Sequence, residues 1–394
     1  MDYLQINTDQ ELQRYCEQLA SEPIIAFDTE FVAEHTYRPQ LCLIQIAAGN
    51  SQAIIDTLSV QDLRPFWELL ATGNHCTLVH AGREELGFSL SAIGKVPSRI
   101  FDIQIAAGLV GLEYPASYRS LSKKLLKYNP TKEETRTDWR HRPLSQRQLE
   151  YAIDDVLYLK KMHQKLDARL IELQRKPWLE DEMNRWIKQV CFAHKRQRWR
   201  RVSGIGGLSA RSKAIVRELW FWREGAAEKK NIPVRRVLRD DLIVELAKRQ
   251  SSDRTRIAAL RGMDRNDLQR ALPDLSACVE RALQLPTDKL PTSRHPRDLP
   301  PQINMLGQLI SSALNSICRQ TNLAPSMVGN PSDVRDLIAF RLGCLKEDDE
   351  PPILSQGWRA EVIGSLIDNL LSGKLAVRIN DPHSEHPLTL ESAD

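Results

Sequence analysis

Two carboxylates stand at the end of an apolar segment near the N-terminus. In "SEPIIAFDTEFV", residues 24–27 predict a buried strand that continues directly into Asp28 and Glu30. Side chains at i and i+2 of a strand point to the same face, so both acids project into one small volume. Two anions so close repel each other unless a cation binds between them or one takes up a proton. A hard divalent cation suits such a pair, although this motif alone is more typical of acids that simply reach water.

A second acidic motif contains a tyrosine. The segment "LEYAIDDVLYLKKMH" predicts a helix in which Tyr151 and Asp155 lie one turn apart on the same face. Asp154 points about 100° away from them. A phenol with an ordinary pKa of about 10 is a poor base. Beside a metal ion it need only orient a water, because the metal supplies the acidity. Taken alone, Tyr151 is more typical of a core aromatic residue.

Two further acidic segments follow predicted strands. "VHAGREELGFSL" predicts a helix that begins near Gly82, with Glu84 and Glu85 in the first turn, where the helix dipole favours anions. Ordinary charge at a helix N-terminus gives the same pattern. "IFDIQIAAGLV" places Asp102 at a strand-to-helix junction, where we interpret it as an N-cap.

Positive charge is concentrated in the middle of the chain. The net charge is only +4, yet between residues 175 and 240 Lys and Arg outnumber Asp and Glu by 18 to 7. The densest part is "HKRQRWRR", residues 194–201, which contains Trp199. Basic residues around an aromatic side chain suit a phosphate-rich polymer. A solvated linker whose charges aid solubility explains the composition equally well.

The first 170 residues or so alternate predicted strands and helices, which favours an α/β layer fold. The predicted strands cover residues 24–27, 41–47, 53–56, 77–80 and 99–101. The predicted helices cover residues 8–20, 61–70, 83–92, 103–110, 117–128 and 145–170. A turn at residues 37–39 would let the first two strands pair as a hairpin, and Ser145 is a candidate cap for the last helix.

Beyond about residue 200 the strand signals stop. Two helical blocks follow, separated by a proline-rich segment that reads "LPTDKLPTSRHPRDLPP". A polar tail from about residue 380 is predicted to be loose. The sequence therefore predicts one α/β domain, a basic connection and two small all-α domains.

Composition and cysteine pattern exclude several classes of protein. A chain of 394 residues predicts two or three domains, and 42% hydrophobic with 27% charged residues is typical of a globular protein. No apolar run approaches the roughly 18 residues of a membrane span, and the first residues lack the features of a secretory signal. The seven cysteines include no CxxC pair. This pattern argues against a cysteine-based zinc site and favours the reducing cytoplasm.

Taken together, these motifs resemble the ribonuclease D family of 3′→5′ exoribonucleases, in the DEDD superfamily and its tyrosine subtype. The resemblance rests on "FDTEFVAEHTYRPQLCLIQIA", "HAGREEL", "FDIQIAA" and "RTDWRHRPLSQRQLEYAIDDVLYL", in this order, with "LRDDLIVELAK" in the helical part. It implies an α/β, ribonuclease H-like (DnaQ-like) exonuclease domain over residues 1–200. A helicase-and-RNase-D C-terminal (HRDC) domain is implied over 208–288, and a second, HRDC-like all-α domain over 302–376. Residues 377–394 would form a loose tail.

The resemblance also implies the residues of the site. Asp28, Glu30 and Asp155 match acids of the family, and Tyr151 matches its tyrosine. Glu85 stands where the family normally has an aspartate, a change that keeps the charge and adds about 1.3 Å of reach. The four carboxylates would bind two divalent ions, Mg²⁺ or Mn²⁺, while Tyr151 orients the attacking water. The product would be a nucleoside 5′-monophosphate.

The expected substrate is RNA. The family implies a monomer that trims tRNA precursors, with no membrane partner. The residues predicted to contact nucleic acid are Lys195, Arg196, Arg198, Trp199, Arg235, Arg236 and Arg239. Trp220 and Trp222 are predicted to pack in a core. Two alternatives stay open: a DNA 3′→5′ exonuclease, because the motifs do not report on the 2′-hydroxyl, and a non-catalytic RNA-binding protein, if Glu85 fails to support metal binding.

Overall fold

The N-terminal part of the chain builds one mixed sheet. The computed structural model describes residues 3–130, 137–195, 198–291, 299–344, 350–384 and 387–393. The strands of the sheet are β1 (Leu4–Ile6), β2 (Ile24–Val32), β3 (Gln40–Ala48), β4 (Ser51–Asp56), β5 (Cys76–Val79) and β6 (Ile100–Asp102). Their spatial order is β1-β4-β3-β2-β5-β6. β3 runs antiparallel to β2 and β4, whereas β2, β5 and β6 are parallel to one another and β1 is parallel to β4.

Helices cover both faces of this sheet. They are α1 (Asp9–Leu19), α2 (Arg64–Thr72), α3 (Arg83–Ile93), α4 (Ile103–Leu109), α5 (Tyr118–Leu121), α6 (Gln146–Leu157), α7 (Leu159–Glu172) and α8 (Lys176–Lys195). A π-helical turn at Ser122–Leu126 extends α5. On one face, Phe27 of β2 packs edge-to-face against Phe66 and Trp67 of α2, with ring centroids 5.6 and 6.0 Å apart. Because its apolar residues are buried on both faces, β2 forms the stiff centre of the domain.

The α/β fold and the hairpin of the first two predicted strands are confirmed. β2 and β3 pair antiparallel over Ile25–Val32. The sequence missed β1, because only one of its three side chains is buried and no alternation is visible. The long helix predicted over 145–170 is interrupted at Tyr158, where α6 ends and α7 begins.

The helical region over residues 198–291 has a core of its own. Its helices are α9 (Ala210–Lys230), α10 (Val234–Val237), α11 (Asp240–Arg249), α12 (Arg254–Ala258), α13 (Asn266–Arg270) and α14 (Leu272–Leu283). Short 3₁₀ turns at Trp199–Arg201 and Thr287–Lys289 flank them. The apolar face of α9 packs against α11 and α14 to form a separate hydrophobic cluster.

The last helical region shares a core with the sheet domain instead. Its helices are α15 (Pro301–Gln320), α16 (Pro325–Val328), α17 (Pro331–Arg341), α18 (Gly357–Arg359) and α19 (Ser365–Leu371). A 3₁₀ turn at Ile353–Ser355 precedes α18, and a π-helical turn at Ala360–Gly364 joins α18 to α19. Buried residues of these helices form one continuous cluster with residues of α4, α7 and α8.

Buried polar contacts fasten this region to the sheet domain. Arg175 donates to the main-chain oxygens of Leu109, Thr321 and Asn322, at 2.5–2.8 Å. Arg359 forms a bidentate ion pair with Glu182 of α8, at 2.6 and 3.1 Å. These contacts cross from α4 and α8 to the chain beyond residue 300, so the two parts form one structural unit.

The tail predicted to be loose contains a strand. β7 (Leu375–Ile379) and β8 (Leu388–Ser392) pair antiparallel as a second, two-stranded sheet. Ser316 of α15 donates to the Leu388 carbonyl, which holds the hairpin on the last helical region. Within the ranges described above, no helix combines the length and the apolarity needed to cross a bilayer.

The ion pair between Arg359 and Glu182 yields a prediction on stability. Arg359→Met leaves a nearly buried carboxylate without its partner, since the side chains of the pair are only 6% and 13% exposed. We expect a loss of about 3 kcal/mol in the free energy of unfolding. Urea titration followed by tryptophan fluorescence measures it, because Trp178 and Trp358 stack beside this pair with centroids 5.2 Å apart.

Arg378→Met is the matched control. Arg378 pairs with Glu391 at the surface, with side chains 64% and 45% exposed. Its loss should cost less than about 1 kcal/mol. Equal losses in the two variants would show that the Arg359 pair does not stabilise the joined unit.

Candidate metal and catalytic site

The first two acids of the site lie on β2. Asp28 and Glu30 point to the face of the sheet that α6 covers, because Leu43, opposite Glu30, packs with residues of α6. The pairing register shifts between Glu30 and Phe31, as at a β-bulge. Bulges of this kind redirect side chains and are frequent beside active sites.

Glu85 reaches the same place from α3. The helix begins at Arg83, so that Glu84 is exposed and Glu85 is buried. The Thr29 hydroxyl donates to Oε1 of Glu85 at 2.6 Å. The structure therefore selects Glu85, and not Glu84, as the acid of this segment that joins Asp28 and Glu30.

Asp102 fixes the start of α3. The amide of Gly82 donates to one carboxylate oxygen of Asp102 at 2.9 Å, and that of Ala81 to the other at 3.3 Å. Ala81 has a φ of +56°, an uncommon conformation for a residue other than glycine. Asp102 also accepts from the amide of Gln104 at 2.8 Å, which confirms its predicted role as the N-cap of α4.

α6 contributes the remaining two groups. Ser145 caps it, as predicted, through a reciprocal capping box with Gln148. Tyr151 and Asp155 lie on one face and Asp154 on another, where the Tyr128 hydroxyl donates to Oδ1 of Asp154 at 2.8 Å. The two adjacent aspartates therefore have different surroundings, and only Asp155 acts on the other acids of the site.

Aromatic side chains hold α6 in position. Trp139, only 3% exposed, packs its ring 6.2 Å from that of Tyr151. The hydroxyl of Tyr118 donates to the main-chain carbonyl of Asp154 at 2.5 Å. Sequence reasoning missed Trp139, Tyr118 and Tyr128, and the position of Trp139 in the "RTDWRHRPL" motif is the only signal that pointed to any of them.

The acids raise one another's pKa. Burial raises the pKa of Asp28 well above its ordinary value, and the nearby Glu85 raises it further. Burial and the charges of Asp155 and Glu85 raise the pKa of Glu30 to about 8. Burial also raises the pKa of Glu85, while its hydrogen bond with Thr29 acts in the opposite direction. These mutual effects place all four carboxyl groups in one pocket.

This set of ligands fits a divalent cation. Asp28 and Glu85 lie close together, because the charge of Glu85 raises the pKa of Asp28, and a proton on either carboxyl group would relieve their repulsion. A hard cation held by the same oxygens would replace that proton and offset the repulsion. Across the described residues, no three His, Cys, Asp or Glu side chains already form a complete metal site.

The predicted nucleic-acid residues lie away from these acids. Arg235, Arg236 and Arg239 are exposed on α10 and at the start of α11, in the region with its own core, and Arg239 pairs with Asp241 at 2.6 Å. Arg198 is exposed just before the 3₁₀ turn that precedes α9. Arg196 lies outside the described residues, and for Lys195 only its place at the end of α8 is described.

The prediction that Trp199 contacts nucleic acid is corrected. Its side chain is only 7% exposed and belongs to the core around α9. The Arg200 guanidinium lies 4.5 Å from the centre of its ring. Both contacts leave no free ring face for a base. Trp220 and Trp222 pack against the same core, as predicted.

Two known families match parts of this chain. The family described as "3'-5' exonuclease" matches residues 3–171, and that described as "HRDC domain" matches residues 212–279. A ribonuclease D of Jannaschia sp. is 32% identical over 380 residues, covering 94% of this chain and 96% of the relative. One of Nitrobacter hamburgensis is 31% identical, covering 95% and 96%.

A solved structure covers nearly the same length. The crystal structure of Escherichia coli RNase D, described as an exoribonuclease involved in structured RNA processing, superposes with a TM-score of 0.80. Its sequence is 29% identical, and the match covers 94% of this chain and 99% of that one.

The raised pKa values predict how stability depends on pH and metal. Without metal, Asp28, Glu30 and Glu85 keep protons in the folded state that the unfolded chain releases. The stability gained from these retained protons is present at acidic pH. It is lost as the pH rises from about 4.5 to about 8, which are the ordinary pKa of Glu30 and its pKa in the folded state. Added Mn²⁺ should therefore raise the melting temperature more at pH 8 than at pH 6. Thermal unfolding in EDTA and in Mn²⁺ across this range measures both effects.

Asp28→Asn should flatten the pH dependence and reduce the shift on adding Mn²⁺, because it removes one of the repelling charges. All other titrating groups are shared with the wild type and cancel in the comparison. Glu84→Gln, at the exposed neighbouring acid, should behave like the wild type. An Asp28→Asn profile identical to that of the wild type, with or without metal, would contradict the assignment.

Proposed function

The chain belongs to the ribonuclease D family, and we propose that it shortens tRNA precursors from their 3′ ends with two bound divalent ions, Mg²⁺ or Mn²⁺. Its activity as a 3′→5′ exoribonuclease follows from relatives of 31–32% identity over nearly the full length and from the likeness to E. coli RNase D. The family also implies dependence on divalent metal. The RNA trimmed, the number and kind of ions, and the residues that act are the proposal.

The observation that carries the proposed site is the convergence of four acids with one phenol, where Glu85 is buried and the other three acids are partly buried. Asp28 and Glu30 come from β2, Glu85 from α3, and Asp155 with Tyr151 from α6. Groups from three elements raise one another's pKa, so they share one pocket. The presence of Glu85 in this pocket favours catalysis over the non-catalytic alternative.

The acids of this pocket would hold the ions and fix their positions. When bound, the ions would supply positive charge beside the attacking and leaving oxygens of the phosphodiester. Asp28 and Glu30 suit this role because β2 is central and buried, which restricts movement of their backbone. Glu85 and Asp155 approach from the two helices that flank the strand.

Tyr151 would orient the attacking water. Burial and the charge of Asp155 raise the pKa of Tyr151 above its ordinary value, so it remains a phenol at neutral pH. A phenol both donates and accepts hydrogen bonds, which suits positioning and not proton abstraction. Attack of water on phosphorus breaks the bond to the 3′ oxygen. The shortened RNA keeps a 3′-hydroxyl, and a nucleoside 5′-monophosphate leaves.

The helical parts would hold the RNA. We place the exonuclease domain at residues 1–200, the HRDC domain at 208–288 and the second helical domain at 302–376. Arg235, Arg236 and Arg239 are exposed on the HRDC domain and would contact phosphates without reading sequence. Arg198 and Lys195, in the connection to that domain, are candidates for the same role.

We further propose that the protein acts as a monomer in the cytoplasm. All seven cysteines lie in the described residues and none forms a disulfide. Free thiols, most of them buried in apolar surroundings, are typical of a reducing compartment.

Substitution of single site residues tests the mechanism. Asp28→Asn should lower turnover of a 3′-labelled tRNA precursor by more than about 100-fold. Losing a residue that only supports a metal ligand lowers activity by up to about 100-fold, and losing the ligand itself should lower it further. Tyr151→Phe should lower kcat by about 100-fold while leaving Mn²⁺ binding unchanged, because it removes only the hydroxyl. Release of nucleoside 5′-monophosphates in Mg²⁺ or Mn²⁺, and its arrest by EDTA, is the assay.

Tyr128→Phe is the matched control for Tyr151→Phe. It also removes a phenolic hydroxyl, but one that bonds Asp154. Its activity should stay within a few fold of wild type. Near-normal turnover by purified Asp28→Asn would refute the site, and faster digestion of matched DNA than of RNA would refute the proposed substrate.

The arginines of the HRDC domain provide a separate test. Replacing Arg235, Arg236 and Arg239 by alanine should raise KM and leave kcat unchanged, because phosphate contacts remote from the chemistry contribute only to binding. Each lost contact should lower the salt slope of binding by about 1. Arg14→Ala, exposed on α1, is the control. An unchanged KM and salt slope would exclude these residues from the RNA path.

A further inference from the structure

Thr29 makes a contact that the proposed mechanism does not use. It lies between Asp28 and Glu30 on β2, with its side chain on the opposite face of the sheet. Its hydroxyl donates to Oε1 of Glu85 at 2.6 Å. Thr29 is 6% exposed and Glu85 is 5% exposed, so water does not compete for this bond. A buried hydrogen bond to a charged group is among the stronger ones in a protein.

The contact is possible because one edge of β2 is open at this level. β5 pairs with β2 only over Ile24–Ala26. The start of α3 lies beside the strand from there on, so Glu85 reaches both Thr29 and Asp28. A carboxylate has two oxygens. The bond to Thr29 fixes one of them and leaves the other for the pocket.

The length of the glutamate side chain matters for this contact. An aspartate, which the family normally has here, is shorter by roughly 1.3 Å. From the same backbone position its oxygen would lie about 3.9 Å from the Thr29 hydroxyl, which is too far for a hydrogen bond. The hydrogen bond therefore depends on the length of the Glu85 side chain.

We propose that Thr29 is a positioning residue that holds the Glu85 carboxylate at the pocket of Asp28 and so compensates for the longer side chain. Glu85 has one more side-chain torsion than aspartate, and without the hydroxyl that torsion loses this restraint. The inference rests on the proposed function, because the ligand that benefits is the divalent cation. It concerns a residue that contacts no substrate and acts only through Glu85.

Calorimetric titration of the full chain with Mn²⁺ alone tests this, since it needs no activity. Thr29→Val removes the hydroxyl and keeps the shape, and should weaken Mn²⁺ binding by about 10-fold, as is usual when the partner of a metal ligand is lost. Thr29→Ala should give the same loss. Thr29→Ser keeps the hydroxyl and should restore affinity to within about 2-fold of wild type.

The decisive comparison uses the Glu85→Asp background. There the hydroxyl is out of reach, so adding Thr29→Val should change Mn²⁺ affinity by less than about 2-fold. A large effect in the wild-type background and almost none in the Glu85→Asp background is the result expected when two residues interact directly. Equal losses in both backgrounds would overturn the proposal, because Thr29 would then act through the strand and not through Glu85. The proposal would also be overturned if Thr29→Val bound Mn²⁺ with wild-type affinity, or if Thr29→Ser lost as much Mn²⁺ affinity as Thr29→Val.

One outcome separates this proposal from the proposed function. If the wild-type chain binds no Mn²⁺ but still digests RNA in EDTA, the metal site itself is refuted and Thr29 has no ligand to position. If the wild-type chain binds Mn²⁺ and Thr29→Val binds it equally well, only the role of Thr29 is refuted.

Discussion

Repulsion among carboxylates that are kept close together and out of water is the constraint on which the site depends. Each of the three elements that present them is held in place by contacts of its own: β2 by burial on both faces, α3 by Asp102, and α6 by its capping box and by Tyr118. The acids therefore cannot move apart to relieve their repulsion. Bound protons or cations would relieve it instead, so the pocket suits a divalent cation.

The sequence predicts the parts of this site that follow a local period. The i, i+2 spacing of Asp28 and Glu30 and the i, i+4 spacing of Tyr151 and Asp155 each define a face before any tertiary contact is known. Partners that are distant along the chain have no such signal. Thr29 and Glu85 are 56 residues apart, and Tyr128 and Asp154 are 26 apart. Trp199 was misjudged for the same reason, because a tryptophan among basic residues looks exposed until the core around it is known.

Local sequence also does not distinguish the two helical regions. Both show short amphipathic helices, yet one has its own core and the other completes the core of the sheet domain. The difference lies in contacts such as those of Arg175, which reaches carbonyls 146 and 147 residues away. A guanidinium that caps the end of α15 and the end of α4 at once fixes both helices, and no helical periodicity reports such a contact.

The HRDC region touches the sheet domain at the loop between β2 and β3. The loop between β2 and β3 carries Tyr37, whose hydroxyl donates to Glu224 of α9 at 3.0 Å, and Arg38, which pairs with Glu228 at 2.8 Å. The side chains of the Arg38 pair are 63% and 56% exposed, so salt screens it readily. This loop begins just after the strand that holds Glu30. The HRDC region is thus joined to this loop partly through an exposed ion pair, whereas the last helical region is fixed to the sheet domain by buried contacts.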